Sequence, residues 1–406
     1  MASGPEVKAN AGIYSFSWEH EQVNIIIDRL HETATRLTAE VDVSTTLPGV
    51  DGHLAHADIS LASTAGKQGL VKILEQRLPG LEWYVLVEQA CLTTIRLHRQ
   101  GAPAVLLGSL PDQPTTWLLE PLIQEGQANI IYGRGGSGKS YLADLCALLV
   151  QYGLSHVGLM STEPKPVMIL DYETSQDIAN NRIKELSDGL GIEKPELLYR
   201  YSSQPLAYDI QEIQRLVLRE HIGLLIVDSV GLACGGEPER AETVIAYFRA
   251  LRSLRIATLS IDHVTKGEHE KVTTPFGSIY KLNLARNAWE VRASTESADD
   301  EILNIGLYHR KINQGKLRPA MGISFIFADG SIIVDDTEIR SDAELVKGLT
   351  LRARINQALK EGAKTVPELA DFLEEKQAVV RNMLNRFKLK SYVKMGEKWG
   401  LISSPQ

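Results

Sequence analysis

The chain predicts an α/β fold: a mainly parallel sheet at its centre, a small α+β unit before it, and a winged helix-turn-helix after it. Three observations lead there. Between residues 117 and 338, short apolar runs alternate with helical patterns, which implies right-handed crossovers and a sheet covered on both faces. Residues 12–45 alternate apolar and polar with a period of two, the mark of half-buried strands. The last sixty residues change to amphipathic helices closed by a hairpin pattern. At 406 residues, 44% hydrophobic and 23% charged, the chain is globular in composition and long enough for two or three cores.

The elements follow in order. Tyr14, Phe16 and Trp18, then Val23, Ile25 and Ile27, then Leu37, Ala39, Val41 and Val43 read as an antiparallel meander, and helical patterns run over 64–77 and 81–99. These make a domain of residues 1–105. A linker spans 106–116, where Gly108, Pro111 and Pro114 interrupt any regular element. In the central domain, 117–340, the strand candidates are Asn129–Tyr132, Val167–Asp171, Leu197–Tyr201, Leu224–Asp228 and Ala257–Ile261, separated by helices over 139–152, 175–190, 209–221 and 239–254. Three later runs, Ala288–Val291, Ile302–Tyr308 and Ile323–Val334, are expected to extend the sheet in antiparallel fashion. In the domain 345–403, Leu349–Leu359 is one helix and Thr365-Val366-Pro367-Glu368 opens a second through a capping box. Gln377–Lys388 is the third, and Met395-Gly396-Glu397 turns the final hairpin.

Composition excludes several classes. The formal net charge of −8 argues against a surface that coats nucleic acid throughout. From Glu344 to Ser403 there are 12 Lys or Arg against 7 Asp or Glu, so this tail is +5 and the remainder −13. Cys91, Cys146 and Cys234 form no CxxC pair, which suits reduced, buried thiols. No basic-then-apolar leader and no apolar run of roughly 20 residues occurs, so a soluble cytoplasmic protein without membrane contact is expected.

One loop carries the chemistry. Gly133-Arg134-Gly135-Gly136-Ser137-Gly138-Lys139-Ser140 fits GxxxxGK[ST], follows an apolar strand and opens a helix at Lys139, Ser140 and Tyr141. Such a junction aims backbone N–H groups and a helix dipole at phosphate, with Lys139 reaching the β- and γ-phosphates of ATP and Ser140 ligating Mg²⁺. Leu224–Asp228 is an apolar strand ending in a carboxylate, placed to hold the same metal. Ser229, not Glu, follows it. The base that activates water must therefore come from elsewhere, and Glu173, closing the next strand after the loop's helix, is the candidate with Asp171 as its rival. That strand is expected beside the strand of the phosphate loop. His263 closes another strand, where an imidazole can sense the γ-phosphate. The remaining histidines suggest no ligand set, and no metal beyond Mg²⁺ is implied.

Residues 117–338 resemble the RecA-like ATPases, nearest to plasmid RepA-type replicative helicases and more distantly to DnaB-type helicases. The matching pieces are GRGGSGKS at 133–140, LDYET at 170–174, LLIVDS at 224–229, GLACGG at 231–236, DHVTKG at 262–267, PFGSIYKLNLARNAWEV at 275–291 and YHRKINQGK at 308–316. The resemblance supports Glu173 as base and His263 as sensor. It implies a homo-oligomeric ring, usually hexameric, with ATP between subunits and a cation reaching in from the neighbour. The Lys-x-Arg that supplies this cation in DnaB-like proteins is Lys311-Ile312-Asn313 here. Lys311, Arg310 or Arg286 is then left to act in trans.

By the same resemblance the loops after Asp228 and His263 line a pore for single-stranded DNA, with Lys266, Lys271 and Lys281 as candidate contacts. In the tail, Arg381, Asn385 and Lys388 fall on the face that a recognition helix shows to duplex DNA, although winged helices also bind proteins. The expectation is a DNA-dependent ATPase motor, most simply a replicative-type helicase of a phage, plasmid or bacterium. A nucleotide-switched DNA-binding regulator or loader, and a recombinase-like filament, are the alternatives.

Overall fold

A computed structural model of the protein describes residues 4–10, 12–100, 104–108, 111–112, 114–237, 240–264, 279–294 and 301–402. The chain forms two compact units, one of Met1–Pro114 with Tyr208–Arg219, the other of Thr115–Ala207 with Glu220–Gln406.

In the first unit, β1 (Glu6–Asn10), β2 (Ile13–Trp18), β3 (Val23–Glu32), β4 (Leu37–Thr45) and β5 (His53–Ser60) form an antiparallel sheet in chain order. Every second residue of β2 and β4 is buried. Phe16, Ile25, Ile27, Val41 and Val43 form a core with Leu70 and Leu74 of α1 (Thr64–Arg77) and Trp83, Val87 and Ala90 of α2 (Trp83–Gln100). The meander is thus larger than the three strands expected. The residues of β1 are too polar, and those of β5 too irregular in their alternation, to announce a strand.

The second unit opens with β6 (Trp117–Glu120) and β7 (Ile123–Gln124), followed by β8 (Ala128–Gly133) and α3 (Lys139–Tyr152). Next come β9 (Met160–Ser161), β10 (Val167–Asp171), α4 (Gln176–Leu190), β11 (Leu198–Tyr201), α5 (Leu206–Arg219) and β12 (Leu224–Asp228). The chain continues through α6 (Val230–Ala233), α7 (Ala241–Ser253), β13 (Ala257–His263), α8 (Ile279–Leu284), β14 (Asn287–Ala293), β15 (Ile302–Ile312), β16 (Met321–Ala328) and β17 (Ser331–Asp336). Nine of these strands form one sheet in the order β11-β10-β12-β13-β8-β14-β15-β16-β17, while β6, β7 and β9 make a small separate one. The six strands from β11 to β14 are mutually parallel. β8, β10 and β12 are buried at every residue, which explains their unbroken apolar runs.

Three sequence expectations change here. β14 runs parallel to β8, so only β15, β16 and β17 extend the sheet in antiparallel fashion. The run Ile323–Val334 is two strands of a hairpin, turned where Gly330 takes a φ of +76°. The strand bearing Glu173 does not neighbour that of the phosphate loop, because β12 and β13 lie between β10 and β8. Strand order is a long-range property that local pattern does not carry.

The tail contains α9 (Ala343–Lys347), α10 (Leu351–Lys360), β18 (Lys364–Thr365), α11 (Val366–Phe372), α12 (Gln377–Arg386), β19 (Tyr392–Met395) and β20 (Lys398–Leu401). Ile355, Leu369, Val380, Leu384, Tyr392 and Trp399 form its core. The capping box is present: the Glu368 amide donates to Thr365 Oγ1 at 3.3 Å, and the Thr365 amide donates to Glu368 Oε2 at 2.6 Å. α12 stops at Arg386, two residues before its expected end, because Phe387 leaves the helix to lie under the Arg352 guanidinium, 4.1 Å from its ring centre. All three cysteines are buried and free. Among the described residues no helix is long and apolar enough to cross a membrane.

Candidate nucleotide-binding site

The phosphate loop sits between β8, whose residues are all buried, and α3. Gly133 must be glycine, since a Cβ there would lie 2.2 Å from the Val291 carbonyl oxygen of β14. Gly138 caps α3 with a φ of +79°, and a Cβ on it would press on Leu303 and Ile305 of β15 at 3.0 Å. Gly135, Gly136 and Ser137 complete the turn between these two constraints, with the Ser137 amide donating to the Arg134 carbonyl at 3.3 Å. The loop thus keeps its amides at a helix N-terminus, the arrangement that receives phosphate.

Lys139 lies at the centre of the site's charge. Its Nζ donates to the Arg134 carbonyl at 2.7 Å, and it is buried. Burial lowers its pKa, while Asp228, Glu173 and Asp262 pull it back up. Ser140 Oγ donates to Asp228 Oδ2 at 2.9 Å. Burial raises the Asp228 carboxyl, with the Ser140 hydrogen bond opposing it. A hydroxyl and a carboxylate brought together at the foot of a phosphate loop are hard oxygen donors, and they fit a Mg²⁺ that keeps most of its waters. Tyr141 points away from the loop, packing its ring against Phe325 and Phe327 and under the Arg182 guanidinium.

Glu173 and its rival have different surroundings. Asp171 is 1% exposed, and its Oδ1 accepts from the amides of Glu173 at 2.8 Å and Thr174 at 2.9 Å. It therefore acts as an anchor for the loop that carries Glu173. The Glu173 side chain is partly exposed, and its Oε1 accepts a hydrogen bond from Ser229 Oγ and lies 3.6 Å from His263 Nε2. The His263 contact, then the Ser229 hydroxyl, hold the Glu173 carboxyl below its ordinary range against the opposing effect of burial. His263 pairs in register with Gly133, and the Val264 amide donates to the Gly133 carbonyl at 3.3 Å, so this imidazole sits beside the phosphate loop. Lys139, Ser140, Glu173, Asp228 and His263 are gathered at the C-terminal ends of β8, β10, β12 and β13, where open parallel sheets hold ligands.

The other candidates fare differently. Lys281 is wholly buried, with its ammonium 3.0 Å from the equally buried Asp262 carboxylate. This corrects the expectation that it touches nucleic acid, since a buried lysine held by a carboxylate presents no charge to a strand. Lys266 and Lys271 lie outside the described residues. Arg310 binds the buried Glu290 at 2.7 Å and the Gly348 carbonyl at 2.7 Å. Lys311 Nζ donates to the carbonyls of Leu282, Asn283 and Ala285 at 2.7–2.8 Å, closing the C-terminus of α8. Both are therefore structural contacts within this chain. By strand register Lys311 is level with Ala288, and Ala288 with Ile130, toward the start of β8 and away from Gly133. Arg286 in contrast is exposed, with Arg252 and Lys311 as its charged neighbours. In the tail, Arg381, Asn385 and Lys388 are all exposed, with Lys388 in the turn after α12.

Sequence reasoning missed two partners. Ser229 was read only as the place where a glutamate is absent, yet it holds the candidate base. The Lys281–Asp262 pair has no local signal, since its members lie 19 positions apart. Among the described residues no group of three or more His, Cys, Asp or Glu could hold a metal ion.

Residues 95–269 match the family described as AAA domain. No curated protein matches the chain. A KaiC-like protein of the hyperthermophilic archaeon Pyrococcus horikoshii OT3 is among the similar solved structures, at 15% identity and a TM-score of 0.38, covering 53% of this chain and 93% of that one. The AAA match, the phosphate loop and the large, mostly parallel sheet together support a P-loop ATPase with a RecA-like core.

Proposed function

We propose that this chain is an ATP-hydrolysing motor that assembles into a ring, most simply hexameric, and acts on DNA as a replicative-type helicase. One observation carries the reading: the groups that ATP hydrolysis would use occupy one edge of the parallel strands, while cations with no carboxylate partner among the described residues collect at the other. On the first edge, the loop amides and Lys139 would hold the β- and γ-phosphates, and Glu173 would orient and deprotonate water. The water oxygen attacks the γ-phosphorus, the bond to the bridging oxygen breaks with its electron pair leaving on ADP, and the proton passes to Glu173. Mg²⁺ on Ser140 and Asp228 would offset charge on the phosphate oxygens when bound. His263, beside both Glu173 and Gly133, is positioned to register loss of the γ-phosphate.

On the second edge Arg252, Arg286 and Lys311 lie close enough for Arg286 and Arg252 to depress the Lys311 pKa after burial has done so. No carboxylate among the described residues pairs with any of the three. With Arg310 and Lys311 tied into their own chain, Arg286 is the group best placed to reach a neighbour's γ-phosphate. From the edge opposite the loop, Arg286 would act on another subunit's site rather than on its own. DNA contact rests on the exposed Arg381, Asn385 and Lys388 of the basic tail, read as a winged helix, and on the loop after His263.

Hydrolysis measured with and without single-stranded DNA, unwinding of a forked duplex, and imaging with an ATP analogue test this reading together. Stimulated hydrolysis, strand separation and closed rings are expected. Slow hydrolysis without strand separation would favour the nucleotide-switched regulator, and open filaments the recombinase-like alternative.

A further inference from the structure

The structure assigns Ser229 as the positioning residue of the base: its hydroxyl, with the His263 imidazole, holds one oxygen of Glu173 so that the other is left to take the proton from water. The inference rests on the proposed role of Glu173 and deepens it.

Ser229 follows Asp228 at the end of β12 and occupies the N-cap of α6, with 1% of its surface exposed. A serine there ordinarily turns its oxygen to the first free amides of the helix. This one makes no such bond. Its Oγ donates instead to Glu173 Oε1, across 56 positions of sequence and from a different strand. The same Oε1 faces His263 Nε2 at 3.6 Å. The Glu173 backbone is fixed separately through its amide on Asp171 Oδ1. Among the described residues nothing pairs with Oε2. The residue is therefore held at three points, two on its carboxylate and one on its backbone, and the lone pairs of Oε2 remain available.

This arrangement decides how a base can work from a strand that two others separate from that of the phosphate loop. A glutamate side chain has three rotatable bonds, and displacement of a reacting group by about 1 Å can cost about 10²-fold in rate. Donors on Oε1 fix the rotation of the carboxylate while leaving its second oxygen aimed outward. They also favour the charged form, in which Oε2 can accept a proton. As water attacks the γ-phosphorus, its O–H bond breaks, the proton goes to Oε2 and the bond between phosphorus and the bridging oxygen opens. Ser229 gains and loses no proton in this step. Its hydroxyl keeps the carboxylate in place, which separates its role from those of Asp228 and Glu173.

The test is steady-state ATP hydrolysis by the full chain carrying Ser229→Ala, Ser229→Thr, Glu173→Gln or Ser229→Ala with Glu173→Gln. Binding of a fluorescent ATP analogue is followed in each. Ser229→Ala is expected to lower kcat by about 10- to 100-fold with KM and analogue affinity unchanged. Ser229→Thr, which keeps a hydroxyl, should recover most of that rate. In the Glu173→Gln background, loss of the Ser229 hydroxyl should change nothing further, because there is no base left to position. An unaltered kcat in Ser229→Ala would overturn the inference. So would a rise in KM alone, or an equal fall in the Glu173→Gln background, since either means that Ser229 acts apart from Glu173. Full hydrolysis by Glu173→Gln alone would instead overturn the assignment of the base.

Discussion

The two edges of the six parallel strands differ in almost every respect. At the C-terminal edge, glycines let the backbone approach a ligand, and the negative charges of Asp228, Glu173 and Asp262 act on the buried Lys139. At the N-terminal edge, Arg252 and Arg286 line a cleft with Gly126–Ala128, at the start of β8, and Lys311 lies close enough to feel both, with no carboxylate among the described residues ion-paired to any of the three. Cations that meet carbonyl oxygens but no carboxylate inside their own chain keep a positive charge that another molecule can answer. The contrast teaches that each edge lacks what the other has. On the proposed reading a working site therefore needs two copies of the chain.

The sharpest way to break that comparison is at the loop. Lys139→Ala is expected to reduce ATP hydrolysis to background, a fall of about 10³-fold or more. Undiminished turnover would remove the foundation of the reading. Arg286→Ala tests the other edge and should lower kcat by about 10³-fold while leaving nucleotide affinity almost intact. Mixing the Lys139→Ala and Arg286→Ala chains, each inactive alone, should restore part of the rate, because some interfaces would then pair an intact loop with an intact arginine. A mixture as inactive as its parts would mean that Arg286 does not act across an interface.

A third prediction concerns acid. His309 is buried, stacks on Trp289 at 4.3 Å, receives the Arg318 amide on Nδ1 and meets Asn287 Oδ1 through Nε2. These bonds require the neutral ring, and burial drops its pKa to about 4. Because the folded value is below the unfolded one, near 6.5, the unfolded chain binds more protons between the two. Stability should accordingly fall as pH drops from about 6.5 to 4, by no more than about 3 kcal/mol from this group. Thermal melts of the protein and of His309→Gln over that window check it: the variant should show a flatter dependence. Since Nε2 also meets the Lys311 carbonyl at 3.0 Å, loosening is expected first at the cationic edge. The smallest effect is in the tail. Arg381→Ala should weaken DNA binding several-fold and lower the salt slope by about one, if that arginine touches a phosphate.

Much of this was legible in the sequence, and the reason differs from part to part. The phosphate loop was readable because backbone approach forbids side chains at fixed spacings, as Gly133 against Val291 shows. The buried strands were readable because double coverage leaves them wholly apolar. Strand order and direction were not, so β14 came out parallel and β10 lay two strands farther from β8 than expected. The choice between Asp171 and Glu173 also waited for the structure, where two backbone amides occupy the first and a serine hydroxyl holds the second. Lys281 misled for a related reason. A lysine in a polar, loop-like stretch reads as solvent-facing, and only the fold brings Asp262 to it.

One detail of the chain's layout bears on how such proteins diverge. Residues 208–219, most of α5, lie in sequence between β11 and β12 yet belong to the compact unit formed by the first 114 residues. There Arg215 pairs with Asp28, whose carboxylate is otherwise buried on β3. A single cut in the polypeptide therefore does not free that unit intact, because Asp28 would lose the guanidinium that neutralises it. Exchange of the amino-terminal part between relatives, by recombination or in the laboratory, would have to carry two separate stretches of gene together, or replace the aspartate and the arginine as a pair.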